Sequence, residues 1–143
     1  MNRIIYILLL MFSISTYGQN TILKNKYKVE FKFIEKDTKE LLPSSIIEIF
    51  SGKKRIAVGI SDYAGTQYFY LEPNDIKNDK ITLSVYGLKC KPYEHTLIIN
   101  KNFKSTIFLE HGKTDFNDRK DLPKFIKKLN FPKPETFECG TID

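Results

Sequence analysis

The clearest pattern in the chain is an alternation of apolar and polar residues from residue 27 to residue 34. One side of this segment consists of Val29, Phe31 and Phe33, and the other of Lys28, Glu30 and Lys32. A period of two is typical of a strand that buries one face. The segment is therefore predicted to be the first strand of a sheet.

Six more short segments have strand-like composition, and turns rich in Gly, Asn, Asp and Pro separate them. They span residues 45–50, 55–61, 66–71, 80–86, 90–99 and 105–109. Short strands with turn signals every 8 to 12 residues or so are typical of a sandwich or small barrel. The sequence predicts an all-β fold, a seven-stranded Greek-key β-sandwich, over residues 19–110.

Residues 111–143 have a different character and are predicted to form a C-terminal extension. A polar loop leads to Asp121, which is expected to cap a short helix over 122–130 with Pro123 in its first turn. The apolar side of this helix consists of Leu122, Phe125, Ile126 and Leu129. So short a helix is marginal alone, so we expect it to dock on its own sheet, or else on a partner. The remaining tail is predicted to be irregular.

The N-terminus has the three parts of a secretory signal. A short basic start is followed by an apolar run over residues 4–14 and by small residues suited to cleavage after Gly18. The run is shorter than the roughly 20 apolar residues that a membrane-spanning helix needs. We expect residues 1–18 to be a cleaved signal peptide, an uncleaved anchor being the alternative. The mature chain is then periplasmic or secreted, without a membrane span.

The net charge of +6 does not indicate nucleic-acid binding. The basic residues number 23, but only Arg3, Arg55 and Arg119 are arginines, and arginine is the side chain suited to bidentate recognition of phosphates and bases. Losing Arg3 with the signal leaves 22 basic against 17 acidic residues, a charge of +5. This positive charge is compatible with binding to an acidic partner or to a glycan.

The two cysteines, Cys90 and Cys139, are expected to form a disulfide in an exported chain. The bridge would close a loop of about 50 residues, worth roughly 4 kcal/mol in the chain-entropy model. It would tie the tail to the sandwich. Two free thiols are the alternative.

Residues 28–109 resemble the carboxypeptidase regulatory-like domain, a transthyretin-like (prealbumin-like) β-sandwich. The family's turn before the second strand ends in Leu-Pro, here Leu42-Pro43, and its T-D-x-x-G-x-F-x-L signature is similar to residues 61–71, which contain Asp62 and Gly65. Ser44 stands where the family usually has Gly. Pro43, Asp62 and Gly65 are structural turn residues under this resemblance. It implies a module without catalytic activity.

Candidate catalytic and metal sites in the sequence are weak. Only His95 and His111 are available as histidine ligands, and they lack metal-site spacing. The fold is shared with the hydroxyisourate hydrolases, but their C-terminal Tyr-Arg-Gly-Ser signature is missing from residues 132–143. Asp115, Asp118 and Asp121 do not have the two-residue steps of an EF-hand loop. The sequence predicts no catalytic residue, no metal and no cofactor.

Tyrosines are the best candidates for a binding surface, because a tyrosine buries area while keeping a polar end. The candidates are Tyr63, Tyr68, Tyr70, Tyr86 and Tyr93. Packing within the sandwich is the alternative role for some of them. We therefore expect an exported, non-catalytic module that binds a protein or a cell-envelope component. Small-molecule or glycan binding through an aromatic strand face is the alternative, and edge strands could also add a partner's strand.

Overall fold

The computed structural model describes residues 26–131. The strands are β1 (Tyr27–Glu35), β2 (Ile46–Ser51), β3 (Lys54–Ile60), β4 (Thr66–Leu71), β5 (Lys80–Tyr86), β6 (Tyr93–Ile98) and β7 (Phe103–Leu109), and the helix is α1 (Leu122–Lys128). The predicted signal peptide and the tail with Cys139 lie outside the described residues.

The strands form two packed sheets, with orders β4-β1-β7 and β3-β2-β5-β6. The chain changes sheet between β1 and β2, β3 and β4, β4 and β5, and β6 and β7. Strand β1 pairs antiparallel with β4 and parallel with β7. The predicted seven-stranded β-sandwich with a short C-terminal helix is confirmed.

The largest differences from the predicted strand boundaries are at the starts of β6 and β7. Strand β6 begins at Tyr93, because Pro92 lacks the N–H that a continuous ladder needs; Cys90 instead makes an isolated bridge to His111. Strand β7 begins two residues earlier than expected, at Phe103. The predicted loop after β4 contains two 3₁₀ turns, Pro73–Asp75 and Lys77–Asp79. Within residues 26–131 no helix has the length and apolar character needed to cross a membrane.

The main core lies between the sheets and follows the predicted alternation. Val29, Phe31 and Phe33 of β1 are fully buried, and they face inward residues of the other sheet. Those opposing residues include Ile47, Ile49, Ile81, Leu83 and Val85.

The turn before β4 is held by hydrogen bonds to the backbone. The Oδ1 atom of Asp62 accepts from the N–H groups of Ala64 and Thr66 at 2.9 and 2.8 Å. Gly65 has φ +67°, and its carbonyl accepts from the N–H of Phe33 at 2.8 Å. This turn is therefore anchored directly to the central strand β1.

The turn containing Pro43 is held by two buried serines. The hydroxyls of Ser45 and Ser61 both donate to the carbonyl of Leu42 at 2.9 Å. Ser44 takes φ +60°, the left-handed conformation that explains why a glycine suits this position.

The capping of the C-terminal helix was predicted wrongly. Asp121 makes no side-chain cap to α1, because a 3₁₀ turn, Arg119–Asp121, precedes the helix. Asp118 caps that turn by accepting from the N–H of Lys120, and the Asp121 carboxylate accepts from the N–H of Asp118 in return. Pro123 lies in the first turn of α1 as expected, and the helix ends at Lys128 rather than at residue 130.

The helix packs on the outer face of the β3-β2-β5-β6 sheet and forms a second, smaller core. Phe125 is 5% exposed, and its ring centroid lies 5.3 Å from that of Phe116 and 5.8 Å from that of Tyr86. Ile46, at the start of β2, is buried in the same cluster. The extension thus docks on its own sheet.

Arg55 of β3 connects this sheet to the end of the helix. Its Nη1 atom donates to Glu48 Oε1 at 2.9 Å and to the carbonyl of Leu129, and its Nη2 atom donates to the carbonyl of Asn130 at 2.9 Å. The last carbonyls of a helix have no partner within the helix. One guanidinium therefore binds a buried carboxylate together with the two backbone carbonyls that directly follow α1.

Candidate functional site

The outer face of the β4-β1-β7 sheet carries an exposed aromatic pair. Tyr68 and Tyr70 lie two residues apart on β4 and are 54% and 46% exposed. Their ring centroids are 6.0 Å apart in an edge-to-face arrangement. Because β4 is a regular strand, the backbone holds both rings on one side of the sheet.

Three lysines lie on the same face of this sheet as the pair. Lys28 stands opposite Tyr70 on β1, and its Nζ atom lies 5.2 Å from the centroid of the Tyr68 ring. Lys32 follows on the same side of β1, and Lys104 projects from β7 opposite Glu30. We call Tyr68, Tyr70, Phe108, Lys28, Lys32 and Lys104 the aromatic–lysine face.

Glu30, the acidic residue between Lys28 and Lys32 on the outer side of β1, forms an ion pair with Lys104 of β7. The Nζ atom of Lys104 lies 2.7 Å from Glu30 Oε1. The hydrogen bond from Lys104, with the charges of Lys104 and Lys28, lowers the pKa of Glu30 despite some desolvation. Glu30 therefore stays ionised and paired, which leaves Lys28 and Lys32 as the excess positive charge of the face.

Phe108 extends the face along β7. It is 47% exposed, and the Nζ atom of Lys39 lies 5.3 Å from its ring centroid. Sequence reasoning missed Phe108 and treated the lysines only as a solvated strand side. The alternation along β1 and β7 predicts that Phe108 and the lysines point outward. Their proximity to the tyrosines follows only from the pairing of β1 with both β4 and β7.

The other three candidate tyrosines lie elsewhere. Tyr63 is 93% exposed in the turn before β4. Tyr86 packs beneath α1, and Tyr93 packs against the main core from β6. Burial raises the pKa of both hydroxyls, with Glu48 adding to the effect at Tyr86. The five predicted residues therefore do not form one surface, and only Tyr68 and Tyr70 are brought together.

The histidines are on different elements. His95 lies on β6 with its ring 6.2 Å from that of Tyr93, and His111 follows β7 opposite Cys90. Within the described part of the chain, no group of three or more His, Cys, Asp or Glu side chains is arranged to hold a metal ion.

Cys90 is fully buried, and burial raises the pKa of its thiol to about 11, with the Glu35 charge contributing. Its predicted partner Cys139 lies outside the described residues, so the disulfide stays a prediction. We expect the folded protein to resist alkylation at Cys90 at pH 8, because so little thiolate is present there.

Unfolding without a reductant distinguishes a disulfide-bonded Cys90 from a free Cys90 thiol. A Cys90–Cys139 disulfide keeps Cys90 unmodified in denaturant until reductant is added, as peptide mass spectrometry would show. Rapid labelling of Cys90 in denaturant alone would contradict the disulfide.

A second surface feature is a groove of about 490 Å³ between the two sheets. Pro92 and Tyr93 line one side, and Thr106, Ile107 and Phe108 of β7 line the other. Strands β6 and β7 are the last strands of their sheets. Within residues 26–131, the outer edge of each has no further strand beside it.

No protein-family model matches the chain, and no curated protein shows significant sequence similarity to it. Several solved structures show a distant likeness to it. The 5-hydroxyisourate hydrolase of Klebsiella pneumoniae matches with 6% identity and a TM-score of 0.48, over 61% of this chain and 92% of the hydrolase.

Two further matches cover smaller parts of larger proteins. The Bacillus anthracis TIE protein has 18% identity and a TM-score of 0.48, over 60% of this chain and 17% of that protein. BcpA, the major pilin subunit of Bacillus cereus, has 13% identity and a TM-score of 0.44, over 62% and 31%. Likenesses this distant carry no argument about this chain, so its resemblance to transthyretin-like domains, and to the narrower carboxypeptidase regulatory-like family, remains a prediction.

Proposed function

We propose that this chain is an exported, non-catalytic binding module that recognises an acidic polysaccharide of the cell envelope through the aromatic–lysine face. The observation that carries the proposal is the exposed Tyr68–Tyr70 pair with Lys28 over the Tyr68 ring, and with Lys32 on the same side of the neighbouring strand β1. Aromatic rings and cations on one rigid sheet suit a ligand that is partly apolar and negatively charged.

The chemistry of the face fits a sugar polymer. The C–H faces of sugar rings pack on aromatic rings, and tyrosine hydroxyls remain free to hydrogen-bond to sugar hydroxyls. Lysine ammonium groups attract carboxylate or phosphate substituents without requiring one fixed geometry. Because the side chains project from paired strands, little backbone ordering is needed on binding.

The same groups do not suit catalysis. The carboxylate beside the face, that of Glu30, is held ionised by its ion pair with Lys104. General acid–base chemistry at neutral pH uses a group whose pKa lies near the working pH. We therefore assign the face a role in recognition.

The test is binding to polygalacturonate, followed by biolayer interferometry. Replacing both rings (Tyr68→Ala with Tyr70→Ala) should weaken binding by about tenfold or more, since buried tyrosines often dominate interface energies. Tyr63→Ala is the matched control, because Tyr63 is exposed but lies off the face. Its affinity should equal that of the unmodified protein.

Electrostatics give an independent readout. Binding should weaken as salt rises, because exposed charges are screened, and Lys28→Gln with Lys32→Gln should reduce this salt dependence. Neutral dextran should bind poorly. Equal binding of dextran and polygalacturonate, or unchanged binding by the double tyrosine variant, would refute the proposal.

A protein partner is the second candidate, favoured by the groove between β6 and β7. A strand from a partner could pair with an open sheet edge and place side chains in the groove. Hydrogen–deuterium exchange with an envelope extract distinguishes the two. Strand addition should protect the backbone amides of β7 that point away from β1, whereas a polysaccharide bound by the outward side chains of the face should leave the exchange of those edge amides unchanged.

A further inference from the structure

The outer edge of β7 carries backbone groups that the sheet does not use. Among residues 26–131, β7 pairs only with β1. The N–H of Lys36, which directly follows β1, donates to the carbonyl of Leu109 at 2.8 Å, so the backbone of Leu109 faces β1. Successive residues of a strand direct their backbone groups to opposite sides. Lys104, Thr106 and Phe108 therefore direct their N–H and C=O groups away from β1, toward the open edge.

Strand β1 differs from β7 in having both of its edges occupied. The N–H of Phe33 donates to the carbonyl of Gly65 on the β4 side, and the ladder to β7 ends with the pair Glu35–Leu109. The buried Glu35 carboxylate then accepts from the N–H of Thr38 and closes the turn after β1. The unused backbone groups of this part of the sheet thus lie on β7.

The free side of β7 opens into the groove of about 490 Å³ between the sheets. Thr106 and Phe108 line this groove and are exposed, and Pro92 and Tyr93 of the other sheet form its opposite wall. Free backbone groups at every second residue, about 7 Å apart, match the repeat of another extended chain. The groove therefore provides the hydrogen-bonding row and the apolar wall that strand addition uses.

The opposite side of the sandwich offers less space to an added strand. The recess beside β3 and β4 has a volume of about 210 Å³. Its acidic residues, Glu72 and Asp75, already form ion pairs with Lys26 and Lys54. The edge of β7 is thus the better place for a further strand.

Lysines give the surroundings of the groove an excess of positive charge. The Glu110 carboxylate binds the Nζ atoms of Lys36 at 2.8 Å and of Lys91 at 3.3 Å, so two lysines share one carboxylate. These two contacts lower the pKa of Glu110, which stays ionised. Lys39 adds a further positive charge over the ring of Phe108. An acidic chain would therefore be electrostatically complementary to this edge.

The same lysines disfavour pairing of β7 with a second copy of this chain. Antiparallel pairing of two such edges, centred on Thr106, would place Lys104 of one copy opposite Phe108 of the other, where Lys39 lies. Like charges opposite each other destabilise a strand pair. Lysines at open edges protect natural sheets against self-association in this way.

We propose that the outer edge of β7 binds an extended acidic segment of a partner protein as an added strand. The segment exchanges backbone hydrogen bonds with Thr106 and Phe108. Its apolar side chains lie against Tyr93 in the groove, and its acidic side chains lie near Lys36 and Lys39. This inference deepens the protein-partner alternative by naming the edge and the chemistry of the partner, and it is independent of polysaccharide binding.

The probe is the synthetic peptide acetyl-Val-Glu-Val-Thr-Val-Glu-Val-amide, whose apolar and acidic side chains project to opposite sides when it is extended. The charge control is the same peptide with lysine in place of both glutamates. Titration calorimetry should show binding of the glutamate peptide, with the lysine peptide weaker by about tenfold, since the edge is basic. No binding of the glutamate peptide up to about 1 mM, or equal binding of the two peptides, would overturn the proposal.

Amide exchange resolved by residue in NMR spectra tests the backbone pairing directly. With free glutamate peptide at about ten times its Kd, exchange at Thr106 and Phe108 should slow by about tenfold, because bound peptide protects these amides. The amides of Ser105 and Ile107, which already face β1, should change little. Protection without this alternation would overturn the proposal, because contacts made by side chains alone do not distinguish the two sets of amides.

Two variants separate the backbone from the charge. Thr106→Pro removes an N–H that points away from β1, a position where an edge strand tolerates proline. It should weaken the glutamate peptide by about tenfold, since a hydrogen bond is lost and the ring crowds the added strand, and leave polygalacturonate binding unchanged. Lys36→Gln should weaken the peptide by about three- to fivefold, the range of exposed ion pairs, and it tests the site even if the proline variant folds poorly.

Lys53→Gln is the matched control for the charge, because Lys53 is exposed and lies outside the groove lining. Its peptide affinity should equal that of the unmodified protein. Unchanged peptide binding in both Thr106→Pro and Lys36→Gln would overturn the proposal. Since polygalacturonate binding is measured on the same variants, a failure of polysaccharide recognition is distinguished from a failure of strand addition.

Discussion

Replacing Gly65 with alanine is expected to destabilise the protein by about 3 kcal/mol, since a left-handed alanine costs 1–2 kcal/mol and a backbone clash adds to it. An added Cβ would lie 2.8 Å from the carbonyl oxygen of Phe33 and 3.1 Å from the nitrogen of Leu42. Those two atoms are themselves hydrogen-bonded at 3.1 Å. The methyl group can be accommodated only by moving β1 away from the turn. Urea unfolding measures the effect.

Gly52→Ala is the matched control. Gly52 also has positive φ, +61°, but an added Cβ would have no atom within 4 Å. It should cost only about 1 kcal/mol, because conformational strain is partly offset by the lower entropy of the unfolded chain. Equal losses of unfolding free energy in the two variants would show that positive φ alone determines the cost of the alanine. The close approach of Gly65 to β1 would then not contribute to stability.

Replacing Arg55 with alanine is expected to release the C-terminal extension from the sheet. Glu48 is 5% exposed and would lose its cation, and the carbonyls of Leu129 and Asn130 would lose their donor. Removing one partner of a buried ion pair costs 3–5 kcal/mol, and partial exposure of Arg55 brings the expected loss to about 2–3 kcal/mol. Hydrogen–deuterium exchange should show faster exchange in α1, while the amides of β1 and β5 keep their protection.

Arg119→Ala is the control for this variant, because it removes an exposed arginine near the same helix. Its stability should change by less than about 0.5 kcal/mol, as for most surface substitutions. Glu48→Gln combined with Arg55→Ala should recover part of the loss, since no unpaired buried charge remains. Additive losses in the double variant would contradict coupling between Glu48 and Arg55.

The sandwich could be predicted because its signals are local. The alternation around Phe31 marks a half-buried strand, and Asp62 with Gly65 marks a turn, without knowledge of any distant contact. The start of β6 was misplaced although Pro92 carried a usable signal. The capping error arose because Asp118 and Asp121 are both plausible caps, and only the extra 3₁₀ turn decides between them.

The sites could be predicted only in part, because they depend on which strands are neighbours. Tyr68 and Tyr70 are two apart on one strand, so their shared direction was readable. Their proximity to Lys104 depends on β7 pairing with β1, which alternation does not encode. Glu35 did carry a signal, since it continues the inward series of β1, but the segment after residue 34 was interpreted as a turn.

The parallel pairing of β1 with β7 has a consequence for the order of folding. Val29 and Phe103 are paired although 74 positions separate them, and a hydrogen bond from the Lys28 N–H to Asn102 spans the same separation. Closing so long a loop is slow, and such contacts raise the contact order. Until Phe103 has been synthesised, the central strand of its sheet has one open edge. The three-stranded sheet that carries both Glu35 and the tyrosine pair is thus completed only once β7 is available to pair with β1.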